Sequence, residues 1–314
     1  MNNEDRIKYY MGDLYFTKAI VLKKDDFMSI SNTELNFNKL IKINYNEYLK
    51  FSNKKRYEMY LEKFLYLIKV SSDPNNYFLF YIGDNTLKSS AIDVNYCFIK
   101  NRIENFNKKT ILLKCFNESR HWNSFNTVKN FDISYEDKYD KVIWRGVCTG
   151  INRPDNVPSR TKLVKTYFTK NKNIDVGLTD LLFYKDRVDS CYLKRSMTIK
   201  EQLKYKFIIS VEGNDVASGL KWQLYSNSVV IMAKPRCMSW LMEDLLIPNY
   251  HYILVKDDFS DLEEKYNWAV NNPNLCKEIT KNASKYMNQF MDKSNEDKIQ
   301  LELIKRYFDK IKLE

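Results

Sequence analysis

From Lys141 onward, short apolar runs alternate with stretches of helical spacing. Val142–Val147 (VIWRGV) reads as a buried strand leading into Cys148-Thr149-Gly150, Arg160–Phe168 has helical spacing, and Ile174–Val176 is a short strand. Thr198-x-x-Glu201 has the form of a capping box for a helix that ends before Lys206. A strand over Phe207–Val211, a polar turn bounded by Gly213 and Gly219, a short helix over Leu220–Ser226 and an apolar strand over Val229–Met232 follow. The pattern then predicts a helix over Trp240–Leu246, a strand over His251–Lys256 and a helix capped by Ser260-Asp261 that runs to Val270. Strands alternating with helices argue for a parallel sheet covered on both faces. The tail is helical over Leu275–Met291 and Asp297–Ile311, with Ile299, Leu303 and Tyr307 on one face. In the first third, Tyr60–Val70 is helical, and Tyr77–Ile82 (YFLFYI) and Thr110–Phe116 (TILLKCF) are buried-strand candidates.

Composition sets the bounds. A chain of 314 residues with 44% hydrophobic content can bury a sizeable core and suits two domains. The 23 Tyr and 18 Phe suit stacking on carbohydrate, although a genome's base composition gives the same enrichment. A net charge of +11 favours anionic partners: nucleotide sugars, phosphorylated glycans, an anionic membrane or nucleic acid. A solvated lysine surface explains the same charge. The six cysteines are scattered without a Cys-x-x-Cys pair, and His121 and His251 are the only histidines, so no zinc-site spacing exists. The first residues, MNNEDRIKYYMGDLYF, have no apolar core of signal-peptide length, and no run approaches a membrane span. The expected location is cytoplasmic, or peripheral on the inner face of the cytoplasmic membrane.

The strand–loop–helix–strand unit over 204–232 carries the most specific chemistry. Its loop brings backbone N–H groups, a helix N-terminus and Lys221 toward one point, which suits a phosphorylated ligand such as a nucleotide. An ordinary crossover without a ligand would look the same, because Gly-x5-Gly is a weak signal.

Three motifs in order narrow the reading: Trp144-Arg145-Gly146-x-x-Thr149-Gly150; Lys206-x6-Gly213-Asn214-Asp215-Val216-Ala217-Ser218; and Trp240-x-Met242-Glu243-x4-Pro248-x2-His251-Tyr252. Together they resemble glycosyltransferase family 90, and within it the bacterial lipopolysaccharide core glycosyltransferases. The likeness runs from Tyr77 to Phe290. It implies an α/β, GT-B-like architecture of two Rossmann-like domains facing across a cleft. Residues 1–140 would bind the acceptor, residues 141–290 the nucleotide sugar, and residues 291–314 would form a helix returning to the first domain. It also implies an inverting, metal-independent transfer from a nucleotide sugar, a UDP-sugar by preference, to a lipopolysaccharide or lipooligosaccharide core, with no cofactor. No Asp-x-Asp motif stands in a strand-end context, which is consistent with that. Leaving-group charge must then be met by cationic side chains and helix dipoles.

On this basis Arg145, at a predicted strand end, is the expected contact to the donor diphosphate, with a structural salt bridge as its alternative. Gly146, Thr149 and Gly150 shape the adjoining loop, and Arg153 and Arg160 are weaker cationic candidates with surface roles. In the second loop, Gly213, Asp215, Ser218 and Lys221 are donor-binding candidates, with Ser218 also a helix cap. Relatives commonly carry Ser-x-Arg there; here Leu220 takes the arginine position and Lys221 follows, a point charge in place of a bidentate fork. Glu243 is a candidate for ribose or sugar hydroxyls, or a surface helix glutamate. An inverting transfer needs one general base, and the resemblance implies an aspartate of the first domain: Asp84, after a buried strand, or Asp93. Arg120 and His121 are candidates for the acceptor.

Two other classes fit less well. A nucleic-acid-binding protein suits the charge, but the basic residues are spread along the chain and no nucleic-acid-binding motif is present. A non-catalytic glycan-binding relative remains the other alternative.

Overall fold

The structure is a computed structural model that describes residues 1–22, 40–51, 54–81, 83–84, 95–103, 108–114, 124–150 and 159–313. The chain divides into two compact units. The first comprises Met1–Ser119, Met238–Met242 and Phe290–Glu314; the second comprises Arg120–Cys237 and Glu243–Gln289. No helix among the described residues is long and apolar enough to cross a membrane.

In the first unit, β1 (Ile20–Leu22) pairs in parallel with the C-terminal strand Ile311–Leu313. A four-stranded sheet runs in the order β2 (Ile41–Ile43), β3 (Phe78–Tyr81), β4 (Phe98–Ile99) and, beyond β5 (Asn101–Ile103) in the chain, β6 (Ile111–Leu112). β2 is antiparallel to β3, and the other pairs are parallel. All four residues of β3 are buried, as its unbroken apolar run requires. The helix Lys54–Ser71 sets Phe64 edge-on against Phe78 and Phe98. From the helix Lys293–Lys310, Tyr307 stacks on Phe98, and its hydroxyl accepts the Leu79 N–H at 2.9 Å. Buried charge also holds this unit. Arg6 donates to both carboxylate oxygens of Glu296, at 2.5 and 2.8 Å. Lys114 Nζ lies 2.8 Å from Glu296 Oε2 and donates to the Phe290 carbonyl at 2.8 Å.

The second unit is built on a five-stranded parallel sheet: β7 (Tyr139–Val147), β8 (Ile174–Asp180), β9 (Tyr205–Ile209), β10 (Val229–Met232) and, after β11 (Cys237–Ser239), β12 (Ile253–Leu254). The spatial order β8-β7-β9-β10-β12 is 2-1-3-4-5 when its strands are counted along the chain, the order of a doubly wound domain. One face sets Val142, Trp144, Val176, Phe207, Ile209 and Ile231 against Leu163 and Tyr167 of the helix Ser159–Tyr167 and Tyr266 of the helix Leu262–Asn271. The other face sets Ile143 and Ile208 against Val128, Leu203 and Trp222. With both faces covered, β10 is apolar throughout and β9 over Phe207–Ile209, and each fully buried large side chain contributes roughly 1.5–3 kcal/mol. The helix Ser124–Phe131, ahead of the boundary expected at residue 141, groups with this unit and supplies Val128 to that second face.

Both halves of the Thr198/Glu201 capping box form. Three local expectations are corrected. Trp240–Leu246 is not a helix: β11 precedes it, Met242 has a φ of 57°, and only the single turn Glu243–Leu245 is helical. Here the chain visits the first unit over Met238–Met242 and returns, which a continuous helix would prevent. Ser218 does not cap the following helix: its N-cap is Gly219, with no side-chain cap. Asp261 stands at the expected N-cap, but its side chain makes no cap hydrogen bond, because its carboxylate accepts the Lys256 N–H at 2.8 Å.

Candidate functional site

In an open parallel sheet, ligands bind beyond the carboxyl ends of the strands, at the point where the connections diverge to opposite sides. In the second unit that point lies between β7 and β9, because β7 continues to β8 on one side and β9 to β10 on the other. A cavity lies along this edge, beyond the ends of β9 and β10. Its lining includes Ser210, Val211 and Glu212 after β9, Met232–Cys237 at and after β10, Ala217 and Leu220 of the glycine-bounded segment, and Ser159 and Glu243.

Arg160 spans the divergence point. Its guanidinium donates to Thr149 Oγ1 at 3.1 Å on the β7 side and to the Val211 carbonyl at 3.0 Å on the β9 side. An ideal Cβ on Gly213 would lie 3.0 Å from Arg160 Nη2, so any larger residue there would have to displace the guanidinium. Gly150, with a φ of 147°, takes a backbone conformation that side chains disfavour. The two glycine loops thus bring backbone close to one cation.

Behind the cavity, charge is buried in pairs. Lys221 is fully buried, and its ammonium donates to Glu243 Oε1 at 3.3 Å; Glu243 is itself buried. Lys221, a donor-binding candidate from the sequence, therefore lies inside with its ammonium on a carboxylate. Glu212 Oε1 accepts the backbone N–H groups of Arg236 at 2.8 Å and Cys237 at 2.9 Å, which pins the loop after β10. Burial raises the Glu212 carboxyl above its ordinary range against those two hydrogen bonds. Burial, with smaller contributions from Glu212, Asp215 and Glu243, pushes the Cys237 thiol far up.

The family model described as glycosyl transferase family 90 matches residues 119–314, more than half of the chain. The chain belongs to glycosyltransferase family 90. This family member is 32% identical over 212 residues to O-glucosyltransferase LpsA of Dichelobacter nodosus, covering 67% of this chain and 61% of that protein. It is 31% identical over 147 residues to Protein O-glucosyltransferase 2 of Danio rerio, covering 46% of this chain and 28% of that protein. It thus spans about three fifths of the first relative's length and under a third of the second's. Among solved structures, the crystal structure of TarM superposes with a TM-score of 0.37 at 14% identity, over 53% of this chain and 35% of that one.

The residues singled out in the sequence of this family 90 chain separate into groups. Thr149 and Gly213 meet at Arg160, and Gly150 lies in the same β7 loop. Lys221 and Glu243 meet each other, and Asp215 lies half-buried in the loop between, where its backbone carbonyl accepts the Gly213 N–H at 3.0 Å. Ser218 lies half-buried in that loop, and Gly146 stands at a register shift in β7. Arg145 turns elsewhere. Its guanidinium binds both oxygens of Asp175 at 2.9 Å, and Lys194 reaches the same carboxylate at 2.7 Å. These two cations hold the Asp175 carboxyl below its ordinary range despite burial. In the first unit, Asp84 is exposed and pairs with Lys100 at 2.5 Å. Asp93, Arg120 and His121 lie outside the described residues. His251 fixes a turn: Ile247 N–H donates to its Nδ1 at 2.8 Å, and burial lowers its pKa. The sequence offered Arg160 a surface role and did not single out Glu212, which the structure places at the end of β9 beside the cavity. The signal for Glu212 was present, a lone carboxylate closing the apolar run Phe207–Val211 at a strand's carboxyl end.

Proposed function

We propose that this chain is a glycosyltransferase that moves a sugar, glucose by the names of its relatives, from a nucleotide sugar to a hydroxyl of a glycan acceptor. The observation that carries this reading is Arg160, held across the divergence point of a doubly wound sheet in a family 90 chain. A nucleoside diphosphate leaving group develops negative charge as the anomeric C–O bond breaks. A fixed guanidinium and nearby backbone N–H groups meet that charge without reorganising. This reading moves the diphosphate role from Arg145, occupied by Asp175, to Arg160. Lys221 then acts behind the wall by holding Glu243.

In the GT-B scheme carried over from the resemblance, the first unit binds the acceptor and supplies the base, Asp84 or Asp93. The base takes the acceptor hydroxyl proton, the oxygen attacks the anomeric carbon from the opposite face, and the nucleoside diphosphate departs with inversion. Uridine as the nucleoside, a lipopolysaccharide core as acceptor and independence from metal belong to the same proposal. So does peripheral contact with an anionic leaflet through the basic surface, from a cytoplasmic location.

The test is a thermal-shift panel of the purified chain against UDP, UDP-glucose, UDP-galactose, UDP-N-acetylglucosamine and the GDP, ADP and CMP series, with and without EDTA. A ligand of the folded state raises the melting temperature. Stabilisation by uridine nucleotides, unchanged by EDTA and lost in Arg160→Ala, is the expected result. No shift with any nucleotide at millimolar concentration would defeat the reading in favour of a non-catalytic glycan-binding role.

A further inference from the structure

Glu212 and Ser210 leave the end of β9 two residues apart, and both line the cavity. Ser210 is 5% exposed, and its Oγ makes no hydrogen bond among the described residues. The two oxygens of Glu212 are used differently. Oε1 is anchored by the Arg236 and Cys237 N–H groups, whereas Oε2 is ion-paired with Arg236 Nε at 3.7 Å and accepts no hydrogen bond from it. An anchored carboxylate with one oxygen to spare, beside a buried hydroxyl without a partner, lacks donors that a ligand can supply.

We infer that Glu212 and Ser210 read vicinal hydroxyls of the bound nucleotide sugar, Glu212 Oε2 accepting from one hydroxyl and Ser210 Oγ bonding its neighbour. This rests on the nucleotide-sugar reading and orients the ligand within it. Glu212 and Glu243 line the cavity together with Lys234 and Arg236, and Arg236 is ion-paired with Glu212; Arg160, bonded to the carbonyl of the lining residue Val211, marks the phosphate end, which places a hydroxyl-bearing ring toward the carboxylates. Glu243, the carboxylate that the sequence offers for the hydroxyls, accepts a hydrogen bond from Lys221; Glu212 Oε2 meets Arg236 only as a longer ion pair and keeps its hydrogen-bond acceptor sites. The ring is the ribose or the transferred hexose, and the experiment separates the two.

The experiment is calorimetric titration of wild type, Glu212→Gln and Ser210→Ala with UDP, 2′,3′-dideoxy-UDP and UDP-glucose. Glutamine keeps an oxygen for the two backbone N–H groups and replaces the spare acceptor by a donor. If the ribose is read, Glu212→Gln weakens UDP by roughly tenfold or more and leaves the dideoxy compound as in wild type. If the hexose is read, only UDP-glucose weakens. Equal binding of all three by wild type and variant would overturn the assignment, as would a uniform loss, which marks loop anchoring alone. Should Glu212→Gln fail to fold, Ser210→Ala decides by the same pattern. A wild type that binds none of the three fails the nucleotide-sugar reading, and the assignment falls with it.

Discussion

Both units bury ionisable side chains, but they complete them differently. In the first unit, Glu296 has both oxygens filled by Arg6 and Lys114. In the second, Lys221 meets Glu243, yet a third group, Glu212, keeps an oxygen without a hydrogen bond beside a cavity. The contrast separates structural charge from charge poised for a ligand. A buried ion with its valences filled by protein holds a fold together; one with a valence left facing space awaits a partner.

The largest expected effects test the structural side. Glu296→Ala leaves two buried cations without their carboxylate and costs about 3–5 kcal/mol by urea denaturation, with UDP affinity retained. Lys221→Met strands Glu243 at a similar cost of about 3–5 kcal/mol, and adding Glu243→Leu restores much of it, because a well-packed apolar pair can replace a buried ion pair. A double variant no more stable than Lys221→Met would break the comparison.

Next in size are effects on ligand rather than fold. Arg160→Ala lowers UDP affinity by roughly tenfold or more, whereas Arg145→Ala leaves it near wild type and loosens the Asp175 edge. The reverse order in calorimetry would return the diphosphate to Arg145.

The pH dependence sharpens the contrast further. Burial lowers Lys114 to about 7 in the folded chain, against 10.5 for a free lysine. Between those values the unfolded state binds the extra proton, so the first unit gains stability as pH rises from about 7 toward 10.5 and loses that gain on return. Lys114→Met flattens the slope in urea titrations across that window. In the second unit, the raised Glu212 carboxyl makes UDP-glucose affinity fall on acidification earlier than an exposed glutamate would, and Glu212→Gln removes the dependence. The smallest effect is a control: breaking the exposed Lys277–Glu136 pair, 3.1 Å apart, leaves melting temperature and affinity unchanged.

Much of the second unit was legible in the chain. Val142–Trp144, Phe207–Ile209 and Val229–Met232 are apolar without interruption because both faces of their sheet are covered, and the Thr198/Glu201 box forms as spelled. Trp240–Leu246 misled because its apolar residues serve the first unit over Met238–Met242, and apolar spacing does not say which unit it serves. For Arg145 the structure shows the salt bridge that was its alternative. Arg145 stands toward a strand's carboxyl end, as a ligand-binding residue should, but β8 brings Asp175 alongside.

The sequence by itself determined the strands, the alternation that makes their sheet parallel, and the glycine loops at its edge, since each depends on neighbours a few residues apart. Only the tertiary structure decided which charges are spent and which are free to bind. Lys221 finds Glu243 22 residues on, Arg160 finds Val211 51 residues on, and Glu212 finds Arg236 24 residues on. Coulomb attraction and desolvation act on distances in space, and the fold sets those distances.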